Sequence, residues 1–104
     1  MTGLTLHLEM PQDAGMYYMY ILRMNNNQIY IGFTKDLKAR ISLHQGGKVY
    51  ATKKYLPIKL VYYECYLARN DAKLREARIK HYGSTYSQLK KRISHSIKAS
   101  QERG

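Results

Sequence analysis

Two runs rich in aromatic and branched residues stand close together near the start of the chain, and a polar stretch separates them. The runs cover residues 16–24 and 28–33, and Asn25-Asn26-Asn27 lies between them. Aromatic and β-branched residues favour strands, and asparagine tolerates the left-handed backbone of tight turns. The pattern therefore predicts a β-hairpin.

The length of the hairpin loop decides which side chains share a face of the sheet. A three-residue loop pairs Met24 with Gln28 and places Tyr20 opposite Gly32, so that Tyr20 and Tyr30 become diagonal neighbours on one face. A two-residue loop would place the two tyrosines on opposite faces. Because Gly32 has no side chain, we expect open space beside Tyr20.

A helix and a third strand are predicted after the hairpin. Thr34 is a favourable N-cap for a helix over residues 35–45, and Gly46 and Gly47 suit its end. Leu37 and Ile41, four residues apart, supply the face that packs on the sheet. A basic loop over residues 48–54 then leads to a strand over residues 59–66.

Two further helices are predicted in the last third of the chain. Asn70 or Asp71 can cap a helix over about residues 72–82 that ends at Gly83. Ser84 can cap a third helix, whose apolar residues recur at helical spacing: Tyr86, Leu89, Ile93 and Ile97.

The order β-β-α-β-α-α predicts an α+β fold, in which about three helices flank a small, three-stranded, mostly antiparallel sheet. At 104 residues the chain has room for one domain. We expect a leader extension over residues 1–15, the domain over residues 16–99 and a frayed tail over residues 100–104.

The charge of the chain gives information about its binding partner that the pattern of elements does not. Eighteen Lys and Arg against seven Asp and Glu give a net charge of +11, and no acidic residue occurs between Asp36 and Glu64. Such an excess indicates a polyanionic partner and an electropositive surface that collects phosphates. The alternative is a basic protein whose charge only keeps it in solution.

Cysteine content and hydropathy exclude several classes of protein. Cys65 is the single cysteine, so it has no internal disulfide partner, and no Cys/His cluster has the spacing of a zinc site. We expect Cys65 to be a small buried residue of a strand. Neither a signal peptide nor a membrane span is evident, and the sequence predicts a soluble cytoplasmic protein without a membrane partner.

Paired tyrosine motifs give the chain a resemblance to a known family. Tyr18-Met19-Tyr20 precedes Tyr30-Ile31-Gly32 by about ten residues, which resembles the motif pair of the GIY-YIG nuclease superfamily, with Tyr18-Met19 in place of Gly-Ile. The likeness covers about residues 17–97 and is strongest to small stand-alone members related to the nuclease domain of excinuclease C. It continues through Leu37, Arg40, His44, Pro57, residues 59–64, residues 72–76 and Ile79-Lys80.

The resemblance implies a divalent-metal-dependent endonuclease that hydrolyses phosphodiester bonds in DNA. It places the metal ligand at Glu76, whose hard carboxylate suits Mg²⁺ or Mn²⁺. Arg40 would clamp the scissile phosphate with two hydrogen bonds. Tyr20, as a phenolate favoured by Arg40 and the metal, would take a proton from water, while Tyr30 orients water or phosphate. His44 would contact phosphate or help to transfer a proton.

Each of these residues also has a structural interpretation. Glu76 can form an exposed ion pair with Lys80, and Arg40 can form one with Asp36, both at the i,i+4 spacing of a helix. The two tyrosines can be sheet packing. His44 can be a cation placed against the helix dipole.

The sequence departs from the family pattern at one place. Related nucleases often carry an asparagine late in the domain, and no asparagine follows Asn70 here. His95 is a polar residue in roughly that region. This departure puts in doubt the position of the last helix or full activity.

A second class of function stays open, a non-catalytic nucleic-acid-binding module in which tyrosines stack on bases and lysines follow the backbone. RNA is not excluded as the partner, and a protein partner for targeting and the oligomeric state are left open. The predicted phosphate contacts are the same for both functions: Lys38, Arg40, Lys48, Lys53 and Lys54.

Overall fold

A computed structural model describes residues 15–102, so that residues 1–14, most of the predicted extension, lie outside the described residues. No helix in the described part is long and apolar enough to cross a membrane. The elements in chain order are β1 (Tyr17–Arg23), β2 (Ile29–Thr34), α1 (Leu37–Gln45), a 3-10 turn (Lys53–Tyr55), β3 (Lys59–Tyr66), α2 (Arg69–His81), α3 (Gly83–Arg92) and α4 (Ser94–Glu102).

The three strands form one antiparallel sheet in the order β2-β1-β3, which confirms the predicted α+β fold. Tyr20 pairs with Gly32, and the Met24 N–H donates to the Gln28 carbonyl at 2.8 Å. Asn27, with φ of 66°, supplies the left-handed residue of the turn. The three-residue loop, and the shared face of Tyr20 and Tyr30 that depends on it, are therefore confirmed.

The central strand β1 is buried on both faces, which explains its nearly continuous run of apolar and aromatic residues. Tyr20 and Leu22 belong to a core on the α1 side. Met19 and Ile21 belong to a second core on the side of α2, α3 and α4. Because side chains alternate along a strand, one strand supplies both cores.

Two helix starts differ from the prediction. Asp36, not Thr34, is the N-cap of α1, because its carboxylate accepts the Ala39 N–H at 3.1 Å. The N-cap of α2 is Ala68, which has no capping side chain, instead of Asn70 or Asp71. Packing against the sheet thus positions the start of α2 without a polar cap.

The end of the chain also differs from the prediction. Gly83 begins α3 instead of ending α2, and the expected single last helix is broken at Ile93 into α3 and α4. Residues 100–102 of the predicted tail belong to α4, and residues 103–104 lie outside the described residues. Ser100 is buried, and the Arg23 guanidinium donates to its carbonyl at 2.7 Å. Cys65 is exposed, so the expectation of a buried cysteine is wrong.

Candidate active site

Tyr20 lies at the centre of β1 and is fully buried on the α1 side of the sheet. Its ring lies across Gly32 of β2, where a Cβ atom would come within 2.8 Å of Cε2 and still closer to Cζ and the hydroxyl. The expected open space beside Tyr20 is therefore absent. Gly32 is required because the Tyr20 ring occupies the volume that a side chain would need.

His44 connects Tyr20 to the loop that follows α1. The imidazole, fully buried, lies with Nε2 2.8 Å from the Tyr20 hydroxyl and Nδ1 2.7 Å from Oγ1 of Thr52. Thr52 is fully buried as well. Three polar side chains from β1, α1 and the loop thus form one buried hydrogen-bonded line.

The environment keeps the His44 imidazole neutral. Burial, together with the nearby Arg40 charge, lowers the pKa of His44 to about 4. His44 therefore does not serve as a cation against the helix dipole at neutral pH. Since the side chain has no exposed surface, it also does not contact phosphate directly in this arrangement.

Tyr30 and Arg40 lie beside this line. The Tyr30 ring lies 6.3 Å from the Tyr20 ring and 5.1 Å from the His44 ring, centroid to centroid. A hydrogen bond with Tyr20 is the main reason why the pKa of Arg40 is raised, and Tyr30 contributes in the same direction. The alternative partner of Arg40, Asp36, uses its carboxylate to cap the helix.

Burial dominates the protonation of Tyr20. It raises the pKa of Tyr20 above the ordinary value, while the Arg40 hydrogen bond acts in the opposite direction with a smaller effect. Tyr20 in this structure is therefore a phenol, and the expected phenolate does not form from Arg40 alone.

Glu76 lies on α2, the helix that packs on the face of the sheet opposite Tyr20. Its charge raises the pKa of Tyr20, with a smaller effect than burial, Arg40 or Tyr30. Its carboxylate is paired with Lys80 at 3.0 Å and with Lys73 at 3.4 Å. The ion pair with Lys80 that the sequence allowed is thus present, with Lys73 added.

The donor set at Glu76 fits a hydrated divalent ion. In residues 15–102 no group of three or more His, Cys, Asp or Glu side chains converges as a metal site. Mg²⁺ is nevertheless commonly held by one or two carboxylates, water and substrate phosphate. The Glu76 side chain retains 12% of its exposure, and both paired lysines are more than 40% exposed, so they can move aside.

The predicted phosphate contacts lie on α1 and on the loop after it. Lys38, Lys48, Lys53 and Lys54 are all exposed. The Lys53 ammonium lies 5.2 Å from the ring centroid of Tyr50, which is itself 82% exposed. Because Thr52 of the same loop forms a hydrogen bond with His44, this basic loop is held next to the buried side chains of the site.

Sequence reasoning missed Thr52 and also a second polar cluster on the other side of the sheet. There Arg75 of α2 holds both oxygens of Glu64 on β3, at 2.9 and 3.1 Å. The hydroxyls of Tyr62 and Tyr66 donate to the same carboxylate. These hydrogen bonds outweigh the effect of burial and lower the pKa of Glu64. This cluster fixes α2, the helix that carries Glu76, to the sheet. His95 is exposed on α4.

Comparison with known proteins connects the chain to one group of small proteins. The model of the GIY-YIG catalytic domain matches residues 16–90. A UPF0213 protein of Staphylococcus epidermidis is 39% identical over 67 residues, which cover 64% of this chain and 82% of that protein. A UPF0213 protein of Limosilactobacillus reuteri is 40% identical over 68 residues, covering 62% and 71%. The solution structure of a UPF0213 protein from Bacillus halodurans is 30% identical, with a TM-score of 0.48, and the match covers 71% of this chain and 81% of that one.

Proposed function

The chain belongs to the family of GIY-YIG catalytic domains, which are of nuclease type, and from this premise we propose that it is a divalent-metal-dependent endonuclease that hydrolyses phosphodiester bonds in DNA. The observation that carries the proposal is the hydrogen bond between Tyr20 and His44, with Arg40 beside it. Such a buried phenol–imidazole pair covered by a guanidinium combines a proton acceptor with a phosphate-binding group.

Arg40 is the proposed phosphate clamp and also the cover of Tyr20. Its guanidinium only donates hydrogen bonds, and it fits two phosphate oxygens at once. Tyr20 has no exposed surface, so water reaches its oxygen only if the covering side chains give way. A phosphate that draws Arg40 away from Tyr20 would open this path.

Tyr20 and His44 are the proposed proton acceptors. As the water oxygen bonds to phosphorus, its proton passes to the Tyr20 oxygen, and the Tyr20 proton passes to Nε2 of His44. The phosphorus–oxygen bond to the sugar breaks, and the departing oxygen takes a proton from solvent. Arg40 helps to hold the pKa of His44 low. Its neutralisation by phosphate would therefore make His44 a stronger base. Tyr30 is proposed to orient the water or the phosphate.

Glu76 is the proposed ligand of Mg²⁺ or Mn²⁺, with Lys73 and Lys80 released from its carboxylate. A bound divalent ion supplies Lewis-acid stabilisation of charge on the phosphate oxygens. A carboxylate beside a phosphate site would otherwise repel the substrate, so the metal gives Glu76 a use that binding alone does not.

Two observations favour the second candidate, a nucleic-acid-binding module without catalysis. Both oxygens of Glu76 are already paired with lysines, and the exposed Tyr50 ring in the basic loop is suited to base stacking. In that case Glu76 serves only to neutralise two cations.

Cleavage assays separate the two candidates. The purified protein is incubated with supercoiled, branched and single-stranded DNA, and with RNA, with and without Mg²⁺ or Mn²⁺. We expect metal-stimulated DNA cleavage that Glu76→Gln reduces by about 10²-fold or more, with DNA affinity equal or slightly higher. Tyr20→Phe should slow cleavage without loss of affinity, whereas Arg40→Ala should lose both activity and some affinity.

Asp71→Asn is the matched control for Glu76→Gln, because it removes one carboxylate from the exposed first turn of the same helix. It should cleave like the wild type. A folded wild type that binds DNA but cleaves none of these substrates with either metal would establish the binding module instead.

A further inference from the structure

Thr52 is a fully buried hydroxyl that the proposed reaction does not use. Its Oγ1 lies 2.7 Å from Nδ1 of His44, on the opposite side of the imidazole from Tyr20. A threonine in a basic loop would ordinarily face solvent. Its burial against the histidine therefore requires a physical explanation.

A neutral imidazole carries one N–H, so it donates to one of its two hydroxyl neighbours and accepts from the other. In one arrangement Nε2–H donates to Tyr20 and the Thr52 hydroxyl donates to Nδ1. In the other, the Tyr20 hydroxyl donates to Nε2 and Nδ1–H donates to Thr52. The distances alone suit both arrangements.

Arg40 distinguishes the two arrangements. Its guanidinium can only donate, and it interacts with the Tyr20 oxygen. If Nε2–H also donated there, two donors and the phenol's own proton would crowd one oxygen. The phenol, with an ordinary pKa near 10, is also a far stronger donor than an aliphatic hydroxyl. The arrangement with Nδ1–H directed at Thr52 is therefore the better one.

We propose that Thr52 is a positioning residue that holds His44 in the Nδ1–H tautomer and so leaves Nε2 open to accept the Tyr20 proton. The hydrogen bond made by one imidazole nitrogen sets the state of the other, as with the third group that orients a catalytic base. The other tautomer would leave Tyr20 without an acceptor. This role in the reaction rests on the proposed function, whereas the tautomer does not.

Thr52 can be tested because the loop has other anchors. Val49 of the loop is buried. The Asn25 N–H donates to the Tyr55 carbonyl at 2.9 Å, and the Asn25 amide donates to the Leu56 carbonyl at 2.6 Å. Thr52→Val keeps the shape and removes only the hydroxyl, while Thr52→Ser keeps the hydroxyl.

Nitrogen-15 NMR of the labelled full-length protein reports the tautomer directly, with the His44 signal identified by its loss in His44→Gln. We expect the Nδ1–H tautomer in the wild type and in Thr52→Ser, and a substantial Nε2–H population in Thr52→Val. Thr85→Val, on α3, is the control and should leave the tautomer unchanged. In cleavage assays Thr52→Val should lower kcat about tenfold or more with KM unchanged, and Thr52→Ser should restore it.

An Nε2–H tautomer in the wild type overturns the proposal, and so does a Thr52→Val protein whose His44 keeps the Nδ1–H tautomer. An unchanged kcat in Thr52→Val would overturn the positioning role. If no variant and no wild type cleaves DNA while the tautomers are as expected, the nuclease function fails and the placement of the proton stands.

Discussion

His44 is completely shielded from solvent, and this makes a residue that usually titrates near neutral pH into a fixed neutral group. Burial and the Arg40 charge both disfavour the imidazolium form. The same two causes that keep the His44 imidazole neutral also make the stability of the fold depend on pH. The stability effect can be measured without substrate.

The free energy of unfolding should rise between about pH 4 and about pH 6.5. The pKa of His44 is about 4 in the folded protein and near 6.5 in an unfolded chain, so in this window only the unfolded state binds the proton. The slope contributed by His44 approaches about 1.4 kcal/mol per pH unit and vanishes above the window. Urea unfolding of the wild type and of His44→Gln at several pH values measures it.

The His44→Gln protein should lack this part of the slope, and His81→Gln, at an exposed position, should retain it. The lowered pKa of Glu64 adds a separate effect that appears only below the ordinary carboxyl range. Equal slopes for wild type and His44→Gln between about pH 4.5 and about pH 6.5 would contradict the prediction.

At this scale the sequence predicted which residues lie together but not how each is protonated. Strand alternation put Tyr20 and Tyr30 on one face, and helical spacing put Arg40 beside His44. Both predictions follow from local periodicity. The burial of His44 and its hydrogen bond to Thr52 depend on the path of the loop after α1, which no local pattern specifies.

Among the elements, the pair β1–β2 carries the tightest steric constraint. The Tyr20 ring lies in the space above Gly32 and is held there by the hydrogen bond to His44. Packing alone therefore explains why a glycine stands opposite a tyrosine in this motif, whatever chemistry the tyrosine performs. Any side chain at position 32 must displace the ring.

Gly32→Ala should destabilise the fold by roughly 1–3 kcal/mol, the usual cost of overpacking, and should reduce cleavage because the Tyr20 hydroxyl leaves His44. Urea unfolding gives the first quantity and the DNA assay the second. Gly83→Ala is the control, since a Cβ there meets nothing within 4 Å. It should be neutral or stabilising by up to about 1 kcal/mol. A Gly32→Ala protein as stable as the wild type would show that the ring is not confined.

Among the helices and strands, the positions that the sequence predicted least accurately are the helix ends. Strand β3 agrees with its predicted bounds, and Pro57 stands just before its start. The start of α2 differs from the prediction because packing, not a polar cap, positions it. The break at Ile93 has no signal in the apolar spacing, which continues through it: Leu89 before the break, Ile93 at it and Ile97 after it all contact the same core.

For the whole molecule, the distribution of charge matters more than the net value of +11. The stretch between Asp36 and Glu64 contains no acid and includes α1 and the basic loop, so one side of the tyrosine site is flanked by lysines and Arg40. Glu64, on the opposite face of the sheet, and Glu76 of α2 are both paired with cations. Phosphate contacts made by such a surface position the duplex without reading its sequence.

DNA binding should accordingly weaken steeply with salt, and the basic loop should contribute a defined share. Replacing Lys53 and Lys54 together by Gln should reduce the slope of log affinity against log salt by about 1.8, or about 0.9 for each phosphate that the variant no longer neutralises. Fluorescence anisotropy with labelled duplexes of unrelated sequence gives the slope, which should fall alike for all of them.

The control is the double replacement of Lys91 and Lys98 by Gln, on α3 and α4, which removes the same charge from positions outside the loop. It should leave the slope nearly unchanged. Equal reductions in the two double variants would mean that net charge, and not a phosphate-binding loop beside the tyrosine site, governs binding.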